Sequence, residues 1–202
     1  VGRRRRADGA DGPAAAAGGP VRLRPGRVRE RAAAAAPRVE RGLGALPPLD
    51  GSAGAVLLVG NHQLYGFDGP LIIEEVLRER RALVKALVYP PLLADESPLA
   101  PFPYPPPGVA ATFRRFGAKP ASGRNLYRLL AAREPVLLFP GGAREVFKRR
   151  GEEYALFWPS EPELVRLAAR HNATIVPFSA VGGDESFELV ADSDELLASS
   201  TP

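Results

Sequence analysis

A histidine and a carboxylate stand close together in Gly60-Asn61-His62-Gln63-Leu64-Tyr65-Gly66-Phe67-Asp68. An imidazole titrates near neutral pH and can take a proton from a hydroxyl. A carboxylate a few residues on can hold the ring tautomer and stabilise the imidazolium. Asn61 and the flanking Gly60 and Gly66 permit a tight loop that carries both groups. Asp68 is equally suited to capping a helix that begins near Pro70. The chain has only two His. The other, His171, precedes Asn172 at an expected helix end, where a capping role suffices.

A second constellation is Leu138-Phe139-Pro140-Gly141-Gly142-Ala143-Arg144-Glu145. Its glycines can expose backbone N–H groups to an oxyanion or a phosphate. Arg144 adds a cation that could grip a phosphate or hold a neighbouring carboxylate. Other chemistries lack their residues. There is no Gly-x-Ser-x-Gly, no Gly-Lys-Ser/Thr loop and no Gly-x-Gly-x-x-Gly after a strand. With two His and no Cys, no catalytic zinc site is expected.

Both constellations follow short apolar runs, and those runs define the elements that must position them. Ala55–Val59 is continuously apolar between two glycines, as in a strand covered on both faces. A helix is expected from Gly69 to Arg81, with Leu71, Ile72, Val76 and Leu77 inward and Glu74, Glu75, Glu79 and Arg80 outward. Leu83–Val88, Val136–Phe139 and Thr174–Ser179 are further strands. Residues 90–107 hold eight Pro and form an irregular loop. A short helix is expected over Val109–Phe116. Ser122 caps another that buries Leu126, Leu129 and Leu130. Ser160 and Glu163 have capping-box spacing for a third, ending near Arg170. Strands alternating with helices predict an α/β fold, with a parallel or mixed sheet and helices on both faces. Catalytic groups of such sheets lie beyond the carboxyl ends of the strands, where both constellations fall.

Charge is unevenly spread. Residues 1–50 carry eleven Arg, no Lys and five acidic residues, whereas the remainder carries sixteen basic and eighteen acidic. The high Arg, Ala, Gly and Pro content of residues 1–53 predicts a disordered linker or extension. The body, residues 54–202, has no basic stripe with interleaved aromatics, so nucleic acid is not an expected partner. No apolar run approaches the ~20 residues that span a bilayer. The chain begins at Val1 and holds no Met, so it is expected to be a piece of a longer reading frame, incomplete at its C-terminus.

The two constellations, together with Lys148–Pro159 and Ala173–Gly182, resemble the phytyl ester synthase and diacylglycerol acyltransferase-like family of plastids. The resemblance covers residues 54–197 and is most specific over Pro140–Pro159. It implies a glycerolipid-acyltransferase-like fold, here a partial domain. It implies transfer of a fatty acyl group from acyl-CoA, acyl carrier protein or a galactolipid to phytol or diacylglycerol, forming neutral lipid. No metal or redox cofactor is implied. The implied setting is the plastid, peripheral to a membrane, lipid droplet or plastoglobule. In the wider superfamily four residues separate His and Asp; here five do. A Glu of the superfamily's third motif is replaced by Gly141, which points to a neutral-lipid acceptor. Family members carry an upstream α/β-hydrolase-like domain, which is not among these residues, as expected of a piece of a longer chain.

On this reading His62 is the general base and Asp68 orients it. Asn61, Arg115, Gly141, Gly142, Arg144 and Glu145 are the expected substrate-binding residues. Arg115 lies in Arg114-Arg115-Phe116-Gly117, which corresponds to the second acyltransferase motif and is equally readable as a solvated helix end. Phe157-Trp158-Pro159 is expected to pack on the sheet. Two alternatives use the same residues: a lipid esterase, with water in place of the alcohol, and a non-catalytic lipid-binding module.

Overall fold

The computed structural model describes residues 43–44, 46–94, 108–161, 163–192 and 195. Five strands form one parallel sheet: β1 (Val56–Gly60), β2 (Lys85–Val88), β3 (Lys119–Pro120), β4 (Val136–Leu138) and β5 (Thr174–Phe178), in the order β3-β2-β4-β1-β5. β1 lies between β4 and β5, with Leu58 level with Leu137 on one side and Val176 on the other. All five β1 residues are buried, as its unbroken apolar run requires. β3 and β5 each contain a proline and sit at the two edges, where a missing N–H costs no ladder hydrogen bond.

Among the described residues, the helices that connect or flank the strands are α1 (Asp68–Arg80), α2 (Val109–Arg115), α3 (Gly123–Ala131), α4 (Gly142–Val146) and α5 (Glu163–Arg170). Alternation along β1 builds two cores. Val56 and Leu58 pack with Ile73 and Val76 of α1, Val84 and Leu137. Leu57 and Val59 pack with Leu126, Leu129 and Leu130 of α3 and Leu167 of α5 on the other face. Burying each such side chain contributes about 1.5–3 kcal/mol. Ser122 caps α3 as expected, its Oγ accepting the Asn125 N–H at 3.2 Å. Glu163 opens α5, but its carboxylate turns to Arg166 at 2.6 Å rather than back to Ser160.

Several expectations shift. The buried residues of α1 are Gly69, Ile73 and Val76, while Leu71 is 66% exposed, so the inward face is rotated toward Ile73. Arg80 does not face solvent with the glutamates. Its guanidinium donates to the carbonyls of Leu43 at 2.5 Å and Leu46 at 3.0 Å. Leu49 is buried in the α1 core, with Leu43 and Leu46 packed against it. The folded body therefore begins by Leu43, ahead of Gly54, because three apolar side chains and an arginine dock this stretch. Residues 1–42 lie outside the described residues. So does most of the proline-rich loop, of which Pro90–Leu93 forms a 3-10 turn. β3 and α4 are too short for a periodic signal and were not expected.

The topology creates the crevice. The connection from β1 runs through α1 to β2 on one side, and that from β4 runs through α5 to β5 on the other. Connections of one hand that travel in opposite directions place their helices on opposite faces. β1 and β4 are neighbours, so their connections diverge at the carboxyl edge; such a gap is the usual ligand position in these sheets.

Candidate active site

His62 and Asp68 meet in that gap. His62 Nδ1 lies 2.7 Å from Asp68 Oδ1, and Asp68 Oδ2 accepts the Gln63 N–H at 3.1 Å. The five-residue separation is absorbed by a 3-10 turn at Leu64–Gly66, in which Tyr65 and Gly66 have φ of 61° and 71°. Gly66 is needed for a second reason. A Cβ there would stand 3.2 Å from His62 Cε1 and 3.5 Å from Nε2, crowding the ring nitrogen that Asp68 leaves open. The imidazole stacks on Phe139, with centroids 3.8 Å apart and planes 6° from parallel. Phe139 in turn meets Phe178 edge-on. The ring is thus held by one charge-assisted bond and one aromatic face, with 15% of its side-chain surface open to solvent.

The β4 loop grips the same backbone. Glu145 is fully buried, and its carboxylate accepts the His62 N–H at 2.7 Å and the Phe157 N–H at 3.0 Å. A Cβ on residue 141 would come within 2.2 Å of the Glu145 Cδ, so glycine is required where that side chain passes the backbone. Gly142 has φ of 50° and open space around it. Asn61 is tied across to the β5 loop, donating to the Ala180 carbonyl at 2.9 Å and accepting its N–H at 2.8 Å. Both Asn61 and Glu145 thus spend their polar atoms on backbone. Arg115 is exposed on the last turn of α2, and no hydrogen bond or ion pair among the described residues joins it to His62 or to the Gly141–Glu145 turn.

Arg144 turns away from the gap. It bonds Glu152 at 2.5 Å and lies 3.9 Å over the Phe157 ring. Phe157 packs against the Arg144 guanidinium, and Trp158 is 38% exposed. The bond from Arg144 holds the Glu152 carboxyl below its ordinary pKa. A depressed carboxylate pKa stabilises the fold above the unfolded value and ceases to do so as pH falls through it. Arg144→Lys keeps the charge but loses the planar fork. It is expected to cost about 0.2–1 kcal/mol near neutral pH, since the pair is partly exposed. The gap in melting temperature from wild type should close on acidification, and KM should change alike for acyl-CoA and a phosphate-free acyl donor. A selective rise in the acyl-CoA KM at unchanged melting temperature would restore the phosphate-binding role.

Sequence reading missed Phe139, Gln63, Lys148, Tyr154 and Asp184, which hold the loop from behind. One signal was available: Lys148 is one of three Lys in a chain with 24 Arg. A cavity of about 910 Å³ among the described residues is lined by Leu64, Lys148, Arg150, Phe187 and Leu189, without His62. No described helix is long and apolar enough to cross a membrane.

The chain is 41% identical over 160 residues, 79% of its length, to phytyl ester synthase 1, chloroplastic, of Arabidopsis thaliana. It is 38% identical over 158 residues to phytyl ester synthase 2, chloroplastic, of the same plant. An uncharacterized protein of Mycobacterium leprae is 32% identical over 142 residues, covering 70% of this chain and 36% of that protein. No protein-family model and no solved structure matches. The chain spans about a fifth of each plant relative, 21% in both cases, so it corresponds to one segment of them. Across that segment, which holds the His62 and Gly141–Glu145 loops, the chain is similar to the two phytyl ester synthases.

Proposed function

We propose that this chain carries the acyl-transfer step of an ester synthase, moving a fatty acyl group onto the hydroxyl of a long-chain alcohol. The observation that carries the proposal is the His62–Asp68 couple, 2.7 Å apart at the crevice between β1 and β4. Asp68 takes the proton-bearing Nδ1, which leaves Nε2 to accept a proton. His62 removes the alcohol proton as the alcohol oxygen bonds to the acyl carbonyl carbon. The tetrahedral adduct then collapses. The carbon–sulfur or carbon–oxygen bond to the donor breaks, and the imidazolium returns its proton to the departing thiolate or alkoxide. The acyl donor would use the room at Gly142, where an added Cβ would meet nothing within 4 Å.

Phytol as acceptor and the plastid as compartment are parts of the proposal, supported by the names of the two plant relatives. Diacylglycerol, giving triacylglycerol, is the other acceptor of matching chemistry. Acyl-CoA, acyl carrier protein or a galactolipid would serve as donor. Exposed Tyr65, Phe67 and Leu71 beside the His62 loop favour peripheral contact with a membrane or lipid body. The test is a product assay on the full-length protein with acyl-CoA, with and without phytol. Phytyl ester that depends on added phytol supports transfer. Free fatty acid at the same rate without phytol would mean hydrolysis, and no product from either would leave only lipid binding.

A further inference from the structure

Behind the His62 loop lies an ion pair that proton transfer does not use. Lys148, two residues past the end of α4, has its Nζ 2.8 Å from Asp184 Oδ2 and 3.1 Å from Oδ1, and the two side chains are 3% and 2% exposed. Neither group spends itself on the other alone. Lys148 Nζ donates to the His62 carbonyl at 2.7 Å. Asp184 Oδ1 accepts the Leu64 N–H at 2.8 Å, and Oδ2 accepts the Tyr154 N–H at 2.9 Å. Gln63 closes the arrangement: its Oε1 accepts the Gly183 and Asp184 N–H groups at 2.9 and 3.1 Å. With Glu145 on the His62 N–H, both backbone polar groups of His62 are held by buried charged side chains.

A buried ion pair is a poor stabiliser, because desolvating two charges offsets most of their attraction and apolar replacements often serve as well. What apolar groups could not do here is hold the His62 carbonyl and the Leu64 N–H at once. We infer that Lys148 and Asp184 are positioning residues for acyl transfer. They lock the His62–Leu64 backbone from the side opposite Asp68, so that the imidazole keeps its bond to Asp68 and its open Nε2. The inference rests on the general-base reading of His62. Its chemistry follows from geometry: a displacement near 1 Å of a catalytic group can lower the rate by about 10²-fold.

The experiment uses Lys148→Met/Asp184→Leu, which removes both charges together, and Asp184→Asn, which keeps the volume but can no longer accept both N–H groups. Both are made in the full-length protein. Three quantities are read: melting temperature, kcat and KM for phytol and acyl-CoA, and hydrogen exchange at the His62–Leu64 amides. The expected result is a kcat lowered about ten- to a hundredfold, KM nearly unchanged, and faster exchange confined to that loop, in variants that remain folded. A folded variant with wild-type kcat would overturn the assignment. So would unfolding of both variants, since the pair would then be a determinant of the fold. If His62→Ala kept full activity the general-base reading would fall, while the exchange data would still judge the backbone lock.

Discussion

His62→Ala is expected to lower acyl transfer by about 10²–10⁴-fold, the usual range for loss of a general base. The residue is well suited to separating catalysis from folding. Its side chain stands in a loop after β1, and its main packing partner is the Phe139 ring. Losing the stacked ring costs about 0.5–1.5 kcal/mol, and water entering the vacated space can replace the bond to Asp68 Oδ1. The backbone bonds to Glu145 and Lys148 survive the substitution, because they are made by the N–H and carbonyl of residue 62. Activity should therefore collapse while far-ultraviolet circular dichroism is unchanged and melting temperature falls by only a few degrees. A folded His62→Ala protein with activity near wild type would remove the basis of the mechanism.

The second large effect belongs to Glu145. Its carboxylate is fully buried and satisfies two backbone N–H groups, those of His62 and Phe157. Glu145→Ala strands both donors, and each buried unsatisfied group costs about 1–3 kcal/mol. The vacated volume adds to this, so roughly 3–5 kcal/mol is expected in all, comparable to breaking other buried charged contacts. For a chain of this size 1 kcal/mol moves the melting temperature by about 2–4 °C. A fall on the order of 10 °C should appear in a thermal melt, with activity lost alongside it. A melting temperature within a degree or two of wild type, combined with a raised KM, would instead mean that Glu145 meets the substrate, as its place in the motif suggests.

Much of the scaffold was legible because it rests on local pattern. The apolar run Ala55–Val59 between two glycines suits a strand covered on both faces, and β1 is that strand. Ser122 before Leu126, Leu129 and Leu130 announces a capped amphipathic helix, which α3 is. His62 and Asp68 were recognisable because they follow a strand in a chain with few histidines. Their spacing was not informative by itself. It took two left-handed residues, Tyr65 and Gly66, to bring groups six positions apart within 2.7 Å.

Tertiary structure decided what each polar residue of the motifs touches. Glu145, Asn61 and Arg144 read alike as site residues, since sequence shows type and spacing but not direction. Folding turned Glu145 inward to the His62 N–H, Asn61 across to Ala180, and Arg144 out to Glu152 and Phe157. Lys148 and Asp184, 36 positions apart, had no shared signal at all. They meet because the loops after β4 and β5 flank the loop after β1 at one edge of a parallel sheet. Such long-range partners are fixed by strand order, and strand order is set by the packing of whole faces rather than by any local run of residues.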